Sequence, residues 1–502
     1  MLNPAPGSSS GGGVGSSGSP APTPAPAGFP PSSSLAAQCI APRTGTDPET
    51  GRPYVDRAGS AVTEKAWLRS WINETYLWYR EVPDPNPSAF ATVLAYFDVL
   101  KTPALTPSGK PKDQFHFTYS TEEWIRQSES GITAGYGAEL SFGSSTPPRS
   151  IRVAYVQPGS PAELAGLRRG TEFITADGEN IADSANVDLL NAALFPEEEG
   201  ESHTFTVRDA GVERSVTMSS AAVKLSAVMN TRTLSTASGK VGYIQFNDHI
   251  APAEADLVKA VEQLRGEAVT DLVLDLRYNG GGYLAIASQM AYMIAGPDRT
   301  AGKFFERTMF NDKHTSTNPV TGRPLAATPF YASSLGFSLA EGQALPTLGL
   351  GRVYVLTGGG TCSASEAIIN GLRGAGIQVF QIGNTTCGKP YGFYPQDNCG
   401  TTYFAIQFKG VNAAGFGDYA DGFVPAGSGE AGVPGCVVAD DFAHELGDPA
   451  EARLAAALSY RDTGICPPQP AARALAPTRA GLPIGAGVWT RSPFRDNRIL
   501  QR

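Results

Sequence analysis

Two short segments carry the residues best suited to chemistry. The first, Thr361-Cys362-Ser363-Ala364-Ser365-Glu366, follows an apolar run and the turn Gly358-Gly359-Gly360. A serine at the start of a helix sits among backbone N–H groups that have no intrahelical partner, and such groups favour an oxyanion. Serine alone is a weak nucleophile and needs a base within reach. The second segment, Gly383-Asn384-Thr385-Thr386-Cys387-Gly388-Lys389, offers one. A lysine kept from water loses proton affinity and could accept the hydroxyl proton near neutral pH. The same letters also have purely structural readings. Ser363 and Glu366 spell a capping box, and an exposed Lys389 would be a solvated cation with no part in catalysis.

The elements around these segments decide whether they meet. Residues 353–357 read as a buried strand, a helix begins near Ala364, and 377–382 return as a strand before the lysine loop. Parallel neighbours carry their C-terminal ends on one sheet edge, so this crossover brings the lysine loop back beside the start of the helix. Upstream, 241–246, 253–264 and 272–276 repeat the strand, helix, strand rhythm, so 226–465 is expected to be an α/β core.

Between 131 and 225 the pattern changes to alternating strands around Gly159-Ser160-Pro161-Ala162-Glu163-Leu164-Ala165-Gly166-Leu167, in which Ser160 caps and Pro161 opens a short helix. This run resembles the PDZ domain family, with Thr171 where an aspartate is usual. The resemblance implies capture of a polypeptide C-terminus as an added strand, its carboxylate held by a glycine-rich loop. Gly135-Tyr136-Gly137-Ala138 is the candidate loop, although the same residues read equally as a simple turn, and a helix over 186–194 would form the other wall.

Residues 50–130 are expected to be a small helical domain. Trp67, Leu68, Trp71, Thr75, Trp78 and Tyr79 share one helical face, and a second helix is expected with Ser88 as cap and a stripe of Phe90, Val93, Leu94, Phe97 and Leu100. Residues 1–34 are nearly all Gly, Ser, Pro and Ala, the composition of a disordered tether, and 466–502 form an uninformative tail.

The serine and lysine segments together resemble the carboxyl-terminal processing proteases of peptidase family S41, with Ser363-Ala364-Ser365-Glu366 followed by Gly383-Asn384-Thr385-Thr386-Cys387-Gly388-Lys389 and preceded by Leu272-Val273-Leu274-Asp275-Leu276-Arg277-Tyr278-Asn279-Gly280-Gly281-Gly282. The resemblance spans about 130–410 and places the PDZ-like segment where the family carries one. It implies a core of the S41 (crotonase/ClpP-like) type and a serine endopeptidase with Ser363 as nucleophile and Lys389 as base. The oxyanion would be held by the N–H groups of Gly281 and Ala364. Many members carry a glutamine four residues after the lysine; here that residue is Phe393, and Gln396 is an alternative holder for the amine.

Composition narrows the partners. With 39 basic and 48 acidic side chains the net charge is −9 and no basic block exists, which speaks against nucleic acid or anionic lipid. No stretch reaches the roughly 18 apolar residues of a membrane-spanning helix. Met1, Leu2 and Asn3 run directly into Pro, Ala, Gly and Ser, so an export signal or lipid anchor is expected outside this chain. Six cysteines without CxxC spacing fit disulfides in an extracytoplasmic, periplasmic or cell-envelope setting. Cys387 with Cys399 is the preferred pair, and Cys39 with Cys466, or Cys436 with Cys466, the weaker ones. No metal or cofactor is implied, and the expected partners are polypeptides with free C-termini. Two rivals stand: a histidine-based hydrolase using His249 or His444, and a non-catalytic envelope scaffold that binds peptide or lipid.

Overall fold

Helix α1 (Ala61–Thr75) starts where Ser60 and Thr63 cap each other reciprocally, and it buries Trp67, Leu68, Trp71 and Ile72. This computed structural model describes residues 28–47, 51–144, 147–427, 429–468 and the backbone of 498–499. The backbone turns extended at Tyr76, so Trp78 and Tyr79 lie beyond the helix, Tyr79 in a separate 3-10 turn. The second expected helix is shorter than its stripe. Asn86 Oδ1 holds both the N–H and the hydroxyl of Ser88, which cannot then cap, and Thr92 caps α2 (Val93–Phe97) instead, leaving Leu94 exposed. Helix α3 (Thr121–Ser130) completes the set.

These helices do not close a core of their own. Trp67, Trp71 and Phe97 pack around Tyr403, Trp124 packs on Phe404, and all belong to one apolar cluster with the helices of the α/β sheet. Of the expected 1–34 tether, only residues 28–34 are described. Residues 1–27 lie outside the described residues, whereas Ser32–Leu35 form one helical turn whose Ser32 N–H and hydroxyl bind the Glu74 carboxylate at 2.8 and 2.5 Å. Of the tail, Cys466 is fixed by a disulfide and 469–497 lie outside the described residues.

A second apolar cluster belongs to the segment resembling a PDZ domain. Strands β1 (Ala138–Ser144), β2 (Ser150–Val156), β3 (Glu172–Ala176), β4 (Ser202–Asp209) and β5 (Val212–Ser219) form an antiparallel sheet in the order β5-β4-β3-β2-β1. Ser160 Oγ accepts the Glu163 N–H at 3.3 Å, as expected of a cap, and α4 (Val187–Leu194) starts on Asn186. Thr171 gives its hydroxyl to Asp209 Oδ1 at 2.5 Å, which satisfies the turn without an aspartate at that position.

The main sheet follows chain order: β6 (Val228–Thr236), β7 (Gly239–Phe246), β8 (Asp271–Asp275), β9 (Arg352–Thr357), β10 (Gln378–Gly383) and β11 (Gly435–Val437). Only β6 runs antiparallel to its neighbour; from β7 onward every pair is parallel. Helices α5 (Ala253–Gly266), α6 (Leu284–Ala295), α7 (Ala364–Gly374) and α8 (Ala452–Thr463) pack on it. Parallel pairing with helical connections is what aligns the C-terminal strand ends of β8, β9 and β10. No helix among the described residues is long and apolar enough to cross a membrane.

Candidate active site

Three loops meet at that edge: 276–283 after β8, 358–364 after β9 and 384–389 after β10. The middle loop is seated first. Thr361 gives its hydroxyl to Leu276 O at 2.7 Å and receives the Gly358 N–H at 2.9 Å, so the turn hangs on the end of β8. Ser363 then adopts φ 58° and ψ −113°, a conformation that non-glycine residues avoid and that surrounding bonds must enforce. Its side chain is fully buried, and its Oγ has no hydrogen-bond partner among the described residues. Only half of the capping box is therefore made: Glu366 returns the bond to the Ser363 N–H at 2.9 Å, while the serine hydroxyl stays uncommitted.

Glu366 does more than cap. Its Oε2 also accepts the Lys389 N–H at 2.8 Å, and its Oε1 accepts the Gly388 N–H at 2.9 Å and the Thr386 hydroxyl at 2.5 Å. One carboxylate thus binds the backbone of both the serine and the lysine. Burial pushes its carboxyl above the usual range, opposed by the Thr386 hydroxyl and by the three N–H donors, which favour the anion. Gly388 is obligatory: at φ 92° an added Cβ would meet Ala420 O at 2.2 Å.

A covalent link repeats this connection. Cys362, next to the serine, is bonded to Cys387, two residues before the lysine, with 5.2 Å between their Cα atoms. The expected Cys387–Cys399 pair does not form. Cys399 reaches Cys39 instead, tying the N-terminal segment to the 396–404 hairpin, and of the two weaker pairings Cys436–Cys466 forms while Cys39–Cys466 does not. Short sequence separation misleads here because the crossover, not the intervening loop, sets which sulfurs are neighbours.

Lys389 is fully buried, not solvated. Its Nζ lies 4.5 Å from the ring centres of both Phe115 and Phe393. Gln396 does not take the expected holding role: half-buried, it gives its amide to Asp397 O. The hydroxyl–amine hydrogen bond between Ser363 and Lys389 is not formed, since Ser363 Oγ has no partner among the described residues.

The third loop is stitched to the nucleophile through Asn279, whose carbonyl accepts the Cys362 N–H at 3.1 Å and the Ser365 hydroxyl at 3.0 Å. This brings Gly281 toward the segment of Ala364. The Gly281 N–H, however, is donated to Asn279 Oδ1 at 2.9 Å, and the Asn279 amide is anchored on Phe246 O. The same Oδ1 accepts Nδ1–H of His249 at 3.0 Å, which leaves His249 Nε2 buried and without a hydrogen-bond partner among the described residues. Burial brings His249 down to about 3, so it is neutral and a poor proton acceptor near pH 7. His444 is exposed and bonded to Asp441.

Beneath this loop lies a buried ionic cluster that sequence reasoning missed. Arg277 binds Glu451 at 2.7 and 2.9 Å, Asp440 at 2.8 Å and Asp275 at 3.0 Å. Tyr278 gives its hydroxyl to Asp440 at 2.5 Å, and Arg169, from the segment before β3, binds both Tyr278 Oη and Asp440. The three arginines Arg453, Arg277 and Arg169 hold the Asp440 carboxyl far below the usual range. The available signal was an Asp and an Arg inside an otherwise apolar strand end. Gly135, Tyr136, Gly137 and Ala138 lie apart, with Tyr136 in the second cluster and Ala138 packed against it. Tyr136 O accepts the Ala162 N–H, and Gly137, at φ 75°, sits where a Cβ would strike Ser160.

Residues 240–393 match the model of peptidase family S41, and residues 63–119 match that of the peptidase S41 N-terminal domain. These two segments are thus similar to peptidase family S41. Among S41 relatives, a carboxyl-terminal-processing protease of Picosynechococcus sp. is 26% identical over 269 residues, covering 53% of this chain and 56% of that protein. A carboxy-terminal processing protease of Bacillus subtilis is 26% identical over 260 residues, covering 51% and 46%. The chain spans about half the length of the curated relatives it matches. A putative S41 protease from Bacteroides fragilis superposes with a TM-score of 0.58 at 24% identity, over 79% of this chain and 97% of that one, which is a likeness of fold.

Proposed function

We propose that this chain is a serine endopeptidase of family S41 in which Ser363 is the nucleophile and Lys389 the general base. The observation that supports this most strongly is Glu366 Oε2, which binds the backbone N–H of both residues. Ser363 Oγ attacks the scissile carbonyl carbon and its proton passes to Lys389 Nζ. The oxyanion takes hydrogen bonds from Ala364 N–H and from Gly281 N–H once the latter leaves Asn279. Lys389 returns the proton to the leaving amine, and water, deprotonated by the same lysine, hydrolyses the acyl-enzyme. Full burial of an amine disfavours its charged form, as a base requires.

Recognition of polypeptide C-termini rests on the unit resembling a PDZ domain. Strand β1 is the last of its sheet, with no strand on its outer side among the described residues, and Phe142 faces Phe195 just beyond α4. An extended peptide would add to that edge with its carboxylate at Gly135–Ala138. Three disulfides fit an oxidising, extracytoplasmic setting.

The test is turnover of an unfolded polypeptide by the parent chain and by Ser363→Ala, Lys389→Ala and His249→Ala. Loss in the first two with retention in the third is expected. Turnover that survives Lys389→Ala would remove the lysine, and an inert parent chain would favour a peptide-binding scaffold.

A further inference from the structure

The proposed chemistry places a positive charge on Lys389 Nζ in a site without solvent, and something other than water must steady it. We infer that Phe115 and Phe393 do so, as positioning residues whose ring faces bracket the amine; this rests on the Ser363/Lys389 reading above. Both rings lie 4.5 Å from Nζ, Phe393 is fully buried and Phe115 is 6% exposed. An aromatic face attracts a cation within about 6 Å of its centre, and more strongly where the cation is desolvated. The charge forms only as the serine proton arrives, so the attraction grows toward the transition state and acts on kcat rather than on substrate binding.

The two rings come from segments far apart in the chain, and each is independently held. Phe115 donates its N–H to Asp113 Oδ1 at 2.9 Å, while Asp113 Oδ2 takes the hydroxyl of Tyr76, the residue that follows α1, at 2.6 Å. Phe393 lies edge-on to Phe404 at 5.1 Å and to Phe117 at 5.8 Å. The N-terminal helices therefore do more than share a core with the sheet: they deliver one wall of the base's seat. Phe393, where the family resemblance leads one to expect a hydrogen-bonding glutamine, supplies the other.

The experiment is steady-state kinetics on the full chain carrying Phe115→Leu, Phe393→Leu and Phe115→Tyr, with Lys389→Ala alongside and thermal midpoints recorded. Each leucine should lower kcat on the order of tenfold with KM nearly unchanged, and the tyrosine, which keeps the ring, should retain kcat. Parent-like kcat in both leucine variants, or a change confined to KM, overturns the inference. If Lys389→Ala is itself as active as the parent, the dyad reading falls; if it is inactive while the leucines are normal, only the aromatic seat falls. Should a leucine variant fail to fold, acetylation of the parent chain decides, with mass spectrometry reading each lysine. Lys389 should stay unmodified while the exposed Lys240 reacts, and equal rates at the two would overturn the seat.

Discussion

The serine and lysine loops and the glycine loop border the same sheet edge but are held in opposite ways. The first pair is joined by a disulfide, by one carboxylate that takes three backbone N–H groups and the Thr386 hydroxyl, and by the Cys387 N–H donated to Thr361 O. The turn at Gly281 is satisfied by a side chain, Asn279, which already occupies the N–H that an oxyanion would use. Preorganisation is thus concentrated where the strained serine must be kept in place, while the proposed oxyanion donor is left in a bond that a substrate could exchange.

Breaking the rigid half should have the largest effect. Glu366→Gln keeps the shape but turns an acceptor into a donor facing N–H groups. It should cost about 3 kcal/mol of stability by thermal melting and abolish turnover. A denaturant midpoint equal to the parent's would show the carboxylate to be dispensable. Next, removing the Cys362–Cys387 bond, whose partners lie 25 residues apart, as a double serine variant or by mild reduction, should cost about 3 kcal/mol and lower kcat. Unchanged kinetics with both thiols titrated free would separate the disulfide from function.

Acid probes both halves at once. Burial brings His116, beside Phe115, down to about 4 and His249, which bonds Asn279 of the glycine loop, to about 3, from an ordinary 6.5. The unfolded chain therefore takes up these protons first, so stability present above pH 6.5 is lost as pH falls toward 4. His116 alone should remove about 2 kcal/mol by pH 5. Chemical denaturation at pH 7 and pH 5 checks this, and a flat profile would contradict it. The smallest effect sharpens the contrast: Asn279→Asp should grip the Gly281 N–H more strongly and lower kcat about tenfold, and it should cost about 2 kcal/mol in melting because a carboxylate oxygen then faces Phe246 O where the amide had donated.

Much of this architecture is legible in the letters because it follows local rules. The crossover from β9 through α7 to β10 is written in apolar runs and a glycine turn, and it alone predicts that the serine and lysine loops share an edge. What escapes is set by distant neighbours. The partner of Cys387 follows from the crossover rather than from the shorter loop. Glu366 reads as a cap because it stands three positions after Ser363, and nothing local reveals that it also holds the lysine loop. Phe115 reads as another core aromatic, since its contact with Lys389 spans most of the chain, and Arg277 is explained only by acids and an arginine from three other segments.

The account turns on the chemistry of Ser363 and Lys389, and covalent trapping tests it most directly. The parent chain and Lys389→Ala are exposed to a serine-directed acylating reagent, and the modified peptide is located by mass spectrometry. Modification confined to Ser363 in the parent and nearly absent in Lys389→Ala is the predicted result. Modification at another residue, or at Ser363 with the parent's rate in Lys389→Ala, would contradict it.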